Sequence, residues 1–343
     1  MRAPRPAIGL LLALAAAWCA FDPTPSRAEQ INLYSTREAP LVEPVIAAFT
    51  AATGIPVKLT YIPDNLVKRM QAEGDASPAD VLMTIGLDKT SQFAANGLTQ
   101  PIASPVLDKA IPVHLRGARG DWIALSIRPR VVMVRNDSEL AAIRYEDLAD
   151  SRWRGKLCMR APEHQNNVAL VAAYLAHHGA ADTEAWLRGI EANLAHRPDG
   201  KDNDVVREIA QGACAIGIAN TVALAQLRDG REGSDWAAWA QQVKAVPTAF
   251  VSVGAHVNLT GAALARNAPH AAAARTFLAF LLTPQAQTLY AAAELEYPVI
   301  AEAQPDPIVA GIGTFAADPL AIDTIAARQR DALALIRKVG FGE

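Results

Sequence analysis

The sequence predicts an α/β protein of two lobes joined by two extended crossings, an architecture that resembles a clamshell. Three observations predict this fold class. A chain of 343 residues with 51% hydrophobic composition is long enough to build two cores. Apolar β runs alternate with helical patterns, which is typical of a parallel sheet covered by helices. Two long β-rich passages interrupt the alternation, and each is expected to cross between the lobes.

The first lobe begins with a regular alternation of strands and helices. Its segments are the strand "INLYS", the helix "LVEPVIAAFTAATG", the strand "PVKLTYI", the helix "NLVKRMQAEG" and the strand "DVLMTI". Gly54 is expected to end the first helix and Asp64 to cap the second. The passage "DWIALSIRPRVVMVRN" then forms the first crossing.

The second lobe opens with "RYEDLADSRWRGKL" and continues through "KLCMRA" and three helical segments to the strand "CAIGIAN". The passage "AFVSVGAHVNLTGAALA" is expected to return the chain to the first lobe. The tail is predicted to be a helix, because its apolar residues recur at helical spacing. Those residues are Ile322, Ile325, Ala332, Leu333 and Ile336.

The N-terminus has the pattern of a secretory signal peptide. Arg2 and Arg5 precede the apolar run "AIGLLLALAAAWCA", and small residues near Ala28 suit a cleavage site. We therefore expect residues 1–28 to be removed and the mature chain to be periplasmic. The alternative is a membrane anchor, but about 14 apolar residues are short of the roughly 20 that a span needs. Trp18 before Cys19 is a poor match to a lipoprotein signal.

Two cysteines remain in the mature chain, Cys158 and Cys214, and both lie in short apolar runs. In an oxidising compartment they can pair if the two runs are neighbouring strands. Two buried thiols are the alternative.

Composition and motifs exclude several classes of function. A net charge of -3 shows no basic stripe for nucleic acid and no polybasic membrane patch. The nucleophile elbow, the H-E-x-x-H zinc motif, the C-x-x-C pair and the phosphate loop are all missing, so the sequence indicates no enzyme. His177 and His178 precede Gly179, where a feature of the helix end is expected rather than a metal pair.

Several segments, in order along nearly the whole mature chain, resemble the periplasmic ferric-iron-binding proteins of bacterial ABC importers. They include "INLYSTRE", "SPADVLMT", "YEDLADSRWRGKL", "GIANT", "HVNLTGAALARNAPH" and "FLLTPQAQ". The resemblance implies a type II-like binding protein, monomeric, that hands its ligand to a permease and an ATPase. It also implies that lobe 1 contains residues 29–128 and 254–343, that lobe 2 contains residues 129–253, and that a hinge motion closes the cleft.

The resemblance further implies that the iron site is altered. The family places two adjacent tyrosines directly after "GIANT", where this chain has Val222 and Ala223. A further family tyrosine aligns with Asn166, an acidic residue with Ile85, and a histidine with Glu38. Tyr34 in the first loop is retained. Tyr297, before a proline, is expected to be a packing residue. The expected ligand is iron(III) in free or chelated form, with free iron(III) in the family's usual coordination less expected than membership of the family would suggest.

Three alternatives stay open for the cleft. A differently coordinated metal could be held by Tyr34, Glu38, Glu163 and His164, unless the last two belong only to a solvated loop. Chelated iron(III), or an organic anion without metal, needs donors and positive charge instead. The ligand-binding candidates are Tyr34, Arg37, Glu38, Asp64, Arg128, Arg130, Asn166, Asn220 and Thr221. Arg128 and Arg130 are two residues apart and lie on the same face of a strand. They either point into the hinge region or hold the two lobes together through acidic partners. A structural or scavenging protein without a transporter is the third alternative.

Overall fold

The computed structural model describes residues 30–251 and 253–341. The predicted signal peptide and its cleavage site near Ala28 lie outside the described residues. Within the described ranges, the alternation of strands and helices is the one that the sequence predicts, and the fold class is confirmed.

A central mixed sheet passes through the molecule, with the strand order β2-β1-β3-β10-β4-β7-β6. Strands β8 and β11 also pair with β4, while β5 and β9 form a separate two-stranded sheet. The strands are β1 (Ile31–Ser35), β2 (Val57–Tyr61), β3 (Val81–Ile85), β4 (Trp122–Arg135), β5 (Ile143–Arg144), β6 (Leu157–Met159), β7 (Ile216–Asn220), β8 (Val243–Val246), β9 (Thr248–Ala249), β10 (Val257–Leu264) and β11 (Tyr297–Pro298).

Twelve α-helices are present in the described part of the chain. They are α1 (Ala39–Thr53), α2 (Leu66–Glu73), α3 (Leu87–Ala95), α4 (Pro105–Ala110), α5 (Gln165–Asn193), α6 (Asp202–Ala210), α7 (Thr221–Arg228), α8 (Ser234–Ala240), α9 (Ala271–Phe280), α10 (Pro284–Glu294), α11 (Pro307–Ala310) and α12 (Ile322–Lys338). Over the described residues, no helix is both long enough and apolar enough to span a bilayer.

Strand β4 joins the two halves of the sheet. Its first part, up to Pro129, pairs antiparallel with β10, and its second part, from Arg130, pairs antiparallel with β7 and β8. All but the last of its residues are buried, which explains the long, nearly continuous apolar run in the sequence. Because β4 changes partners between Pro129 and Arg130, side chains at this point lie between the two halves of the molecule.

Helix boundaries agree with the sequence prediction at two glycines and disagree at one aspartate. Gly54 adopts φ 74° and its N–H bonds to the carbonyl of Thr50, so it ends α1 as predicted. Gly179, at φ 80°, interrupts α5 at the predicted position. Asp64, however, does not cap α2. The capping position is Asn65, whose left-handed backbone (φ 61°) starts the helix without a side-chain capping bond.

The C-terminal helix α12 lies along α5 and also contacts α3. Arg337 and Lys338 form ion pairs with Glu163 and Glu184, at 2.8 and 2.7 Å. At its other end, Asp323 accepts hydrogen bonds from Ser91 of α3 and from the backbone of Ala118. The helix therefore contacts both halves of the molecule.

Candidate functional site

The carboxyl ends of strands from both halves face one another and form the walls of a cleft. In the first half, the loop after β3 carries Gly86 at φ 107°. A Cβ added at Gly86 would lie 2.7 Å from Oδ1 of Asp88 and 3.6 Å from Oε1 of Gln165, the first residue of α5. The first turn of α5 therefore lies directly across from the end of β3, where ligands of such sheets bind.

The centre of the opposite wall is a fully buried arginine, Arg130. Its guanidinium donates to both carboxylate oxygens of Asp202, each at 3.2 Å, and to Oδ1 of Asn220 at 3.2 Å. It also donates to the side-chain oxygen of Asn167. Burial raises the pKa of the Asp202 carboxyl, but Arg130 and Arg160 outweigh that effect, and the net pKa is lowered. Arg130 is therefore a structural cation whose terminal nitrogens are engaged within the protein, while its buried Nε has no hydrogen-bond partner among the described residues.

A second cation, Arg160, is much less engaged. It follows β6 and shares Asp202 with Arg130, at an N–O distance of 3.7 Å. Its Nε is buried and has no hydrogen-bond partner among the described residues. Burial lowers the pKa of Arg160, because the charged form loses hydration that a single shared carboxylate does not replace. The Nε of Arg130 is unpartnered as well, so the two arginines differ in their terminal nitrogens. Those of Arg130 make hydrogen bonds, whereas Arg160 approaches Asp202 only at 3.7 Å and is the less engaged guanidinium on this wall.

Two of the predicted cations are neutralised in the first half of the molecule. Arg128 is buried, pairs with Glu296 at 3.3 Å and donates to the carbonyl of Leu259 at 2.9 Å. Arg37 forms a two-pronged ion pair with the buried carboxylate of Glu294. Arg128 and Arg130 therefore both pair with acidic side chains. Neither pair links the two halves of the molecule, because each arginine finds its partner on its own side of the point where β4 changes partner strands.

The first turn of α5 offers neutral donors and a nearby ammonium group. His164 occupies the capping position, and its Nδ1 accepts from the N–H of Asn166 at 3.1 Å. Burial, followed by the positive charge of Arg160, lowers the pKa of His164 to about 4, so the ring is neutral at pH 7. Lys89, on the facing helix α3, has no ion pair or ammonium hydrogen bond among the described residues.

Asn220 ends β7 and Thr221 begins α7. Asn220 is the capping residue of α7 by position, but its side chain makes no capping bond. Instead, its Oδ1 accepts from Arg130 and from Nδ2 of Asn258, at 3.2 and 3.3 Å. Thr221 is also buried. The following residues, Val222 and Ala223, present only apolar side chains at the first turn of α7.

Tyr34 does not face the cleft in this structure. Its ring is 4% exposed, and its hydroxyl donates to Oε1 of Glu73 at 3.2 Å. Glu73 ends α2 close to Ser77, just before the amino end of β3, which is opposite to the cleft edge. The side chain therefore points to the wrong end of the sheet for a cleft ligand. Burial, and then the charge of Glu73, raises the pKa of Tyr34, which further disfavours a phenolate.

The proposed metal set is not brought together. Glu163 is half exposed and pairs with Arg337 of α12, while Glu38 is exposed at the start of α1 and Tyr34 is buried as described. In residues 30–251 and 253–341, the one group of three or more histidine, cysteine or acidic side chains with metal-ligand spacing is Cys158, His196 and Glu208. That group is discussed below and lies away from the cleft.

Other predictions can be checked directly. Cys158 and Cys214 form a disulfide with a Cα–Cα distance of 5.8 Å, because β6 and β7 are neighbouring parallel strands. His177 and His178 contact carboxylates, Asp318 at 2.7 Å and Glu146 at 2.8 Å, and do not form a metal pair. Tyr297 donates to the carbonyls of Val309 and Gly313, which is consistent with the packing role expected for it.

Sequence reasoning missed the residues that best define the wall, Arg160, Asp202 and Lys89. Arg160 directly follows the short strand "LCM", which marks a strand end in the sequence. Lys89 lies in the first turn of α3, beyond the end of β3. Asp202 gave no local signal, because it begins a helix and meets Arg130 only through the tertiary fold. The residues that follow a strand in the sequence do not indicate which distant residue will be their buried partner.

These features define a two-lobed binding protein with a polar cleft at facing strand ends. Residues 31–293 match the family model of bacterial extracellular solute-binding proteins. The chain belongs to this family.

Comparisons with individual proteins agree. The chain is 32% identical to iron uptake protein A1 of Synechocystis over 323 residues, covering 93% of this chain and 89% of that protein. It superposes on a Bordetella ferric binding protein with a TM-score of 0.89 and 44% identity, covering 92% of this chain and all of that chain (100%). It superposes on a Trichodesmium protein in complex with iron and citrate ligands with a TM-score of 0.87 and 33% identity, covering 91% and 99% of the two chains.

Proposed function

We propose that this protein is the periplasmic solute-binding component of an ABC importer and that it takes up iron(III) as an anionic chelate. The observation that carries the proposal is Arg160, a cleft-wall guanidinium with a buried, unpartnered Nε and only a shared carboxylate for its charge. A guanidinium of this kind suits the carboxylate groups of a chelator, since such pairs are charge-assisted and often bidentate.

The charge balance of the wall supports an anionic ligand. Arg130 and Arg160 together contribute two positive charges against the single carboxylate of Asp202, so this cluster carries a net positive charge. Lys89 adds an ammonium from the facing helix, and His164 is neutral. The N-termini of α5 and α7 point the positive ends of their helix dipoles in the same direction.

The relatives support iron as the cargo, and the residues of this chain disfavour only iron(III) without a chelator. The names of the Synechocystis and Bordetella proteins refer to iron uptake and ferric binding, and the Trichodesmium protein holds iron together with citrate. Bare iron(III) needs several anionic oxygen ligands. At the positions where the resemblance implies paired phenolates, this chain has Val222 and Ala223, and the hydroxyl of Tyr34 is held by Glu73.

We further propose that ligand capture closes the two lobes by a hinge. Lobe 1 would consist of residues 29–128 and 254–343, and lobe 2 of residues 129–253. Helix α12 would contact both lobes. The change of partners on β4 between Pro129 and Arg130 supports a boundary there. In this proposal the mature monomer follows removal of residues 1–28, performs no catalysis, and delivers its cargo to a membrane permease and its ATPase.

The proposal is tested by calorimetric titration and native mass spectrometry of the periplasmically purified protein with iron(III) plus citrate, citrate alone and iron(III) without citrate. We expect tight one-to-one binding of ferric citrate and no strongly coloured complex with iron alone. Equal affinity for citrate with and without iron would favour the second candidate, an organic-anion receptor. A coloured, tight complex with bare iron(III) would overturn the chelate proposal.

A pair of variants tests the role of Arg160. Arg160→Gln should weaken ferric citrate binding by about 10–100-fold, because a hydrogen bond to a charged group contributes about 1.5–3 kcal/mol. The matched control is Arg144→Gln, which removes an exposed arginine that pairs locally with Asp147. Identical affinities for the two variants would remove Arg160 from the ligand site.

A further inference from the structure

A second cluster of ligand-type side chains lies on lobe 2, away from the cleft. Cys158 lies within β6, Cys214 precedes β7, Glu208 lies on α6, and His196 follows α5. Nε2 of His196 lies 3.5 Å from Sγ of Cys158 and 3.3 Å from Oε2 of Glu208. Cys214 joins them through the disulfide. Since Cys214 precedes β7 and the cleft lies at the other end of that strand, the cluster is independent of the proposed iron site.

We propose that these four side chains form a zinc site when the Cys158–Cys214 disulfide is reduced. Two thiolates, one imidazole and one carboxylate are a ligand set that zinc accepts in tetrahedral geometry. The oxidised protein lacks this site, because neither sulfur is then a thiolate. Oxidation would therefore switch the same cluster from a metal site to a covalent crosslink.

The observed spacing fits a tetrahedron around zinc. With Zn–S of about 2.3 Å, Zn–N of about 2.0 Å and Zn–O of about 2.1 Å, the S–N and N–O edges of a tetrahedron are about 3.5 and 3.4 Å. The corresponding distances here are 3.5 and 3.3 Å. The two sulfurs must separate to about 3.8 Å, which breaking their bond permits. His196 is exposed, so the ion has a path to the cysteines, which are buried.

The orientation of the imidazole also fits a metal ligand. Nδ1 of His196 lies 2.8 Å from the carbonyl of Arg197, to which it donates its proton. Histidine ligands commonly donate the second ring N–H in this way, because the bond fixes the tautomer and aims Nε2 at the metal. In the disulfide form that bond, together with Glu208, raises the pKa of His196.

The chemistry balances with a dithiol as reductant. The dithiol transfers two electrons and two protons to the disulfide, becomes a disulfide itself, and leaves Cys158 and Cys214 as thiols. Binding of Zn²⁺ then releases the two thiol protons and any proton held on Nε2 of His196. Reoxidation expels the ion, because the thiolates are consumed.

The test is titration of the full mature protein with zinc chloride, and separately with cobalt chloride, before and after reduction by a phosphine. We expect the reduced protein to bind one equivalent and to show the thiolate-to-cobalt absorption of a tetrahedral site, and the oxidised protein to bind none. His196→Ala should weaken zinc binding by about 100-fold or more, since loss of a supporting partner alone costs 10–100-fold. The matched control is His178→Ala, which removes a histidine paired with Glu146 at 2.8 Å.

Three results would overturn the proposal. The first is failure of the reduced, folded protein to bind one equivalent of zinc. The second is equal zinc affinity in His196→Ala and in the reduced wild-type protein, which would show that free thiols bind without a built site. The third is loss of the native circular dichroism on reduction, because the site requires the fold of lobe 2.

Discussion

The buried pair of Arg130 and Asp202 allows a quantitative prediction. Arg130 has no exposed surface and the Asp202 side chain is 8% exposed, so neither charge has water to replace a lost partner. Asp202→Asn keeps the shape and removes the charge, which leaves Arg130 and Arg160 together without a counterion. Breaking a buried pair in this way costs about 3–5 kcal/mol. At roughly 2–4 °C per kcal/mol, the melting midpoint should fall by roughly 10 °C.

The assay is calorimetry of the wild-type protein and the variant at pH 7, with the disulfide intact. The matched control is Asp137→Asn, which breaks an exposed pair with Arg135 and should not shift the midpoint. Because the pKa of Asp202 is lowered in the folded state, the wild-type advantage should persist at neutral pH and be lost as the pH falls through that pKa. Equal midpoints for Asp202→Asn and Asp137→Asn would refute the reasoning.

Three further predictions concern other parts of the molecule. Replacing Cys158 and Cys214 by serine should lower the free energy of unfolding by about 4 kcal/mol, since the disulfide spans 56 residues; urea denaturation measures it, and a loss below about 1 kcal/mol would contradict the estimate. Tyr34→Phe should leave ferric citrate affinity unchanged and cost about 0.5–1.5 kcal/mol in the same assay; weaker binding would return Tyr34 to the site. Burial lowers the pKa of His256 to about 3, so wild-type stability should fall as pH drops below about 6.5, by at most about 1.4 kcal/mol per pH unit. His256→Leu should remove that slope, and an unchanged slope in urea denaturation at several pH values would refute the assignment.

The fold was largely predictable from local patterns. The long passage from Trp122 to Arg135 has the apolar composition of a strand buried on both faces, and it is one. Glycines such as Gly54 mark helix ends because a positive φ is needed there. Asp64 failed as a cap because Asn65 tolerates the left-handed backbone that this entry into α2 adopts.

The site was less predictable, because its side chains are defined by partners far away in sequence. Arg37 looks available in a loop after β1, but its partner Glu294 is 257 residues away. Tyr34 lies on the right strand, yet Glu73 holds its hydroxyl toward the opposite edge of the sheet. Strand order and pattern can place a residue near a cleft, but they cannot show which charge is already neutralised.

The arginines around the cleft are therefore of two kinds, those with a carboxylate of their own and those that share one. Arg128 and Arg37 each have a carboxylate of their own, so bringing an anion to them would only compete with an existing pair. Arg130 and Arg160 share one carboxylate, and of these two Arg130 also donates to two asparagine side chains. Arg160 is therefore the arginine whose positive charge is least compensated by the protein. A ligand that supplies a carboxylate at this point offsets a desolvation cost that the folded protein already bears, which favours an anionic ligand over a bare trivalent cation.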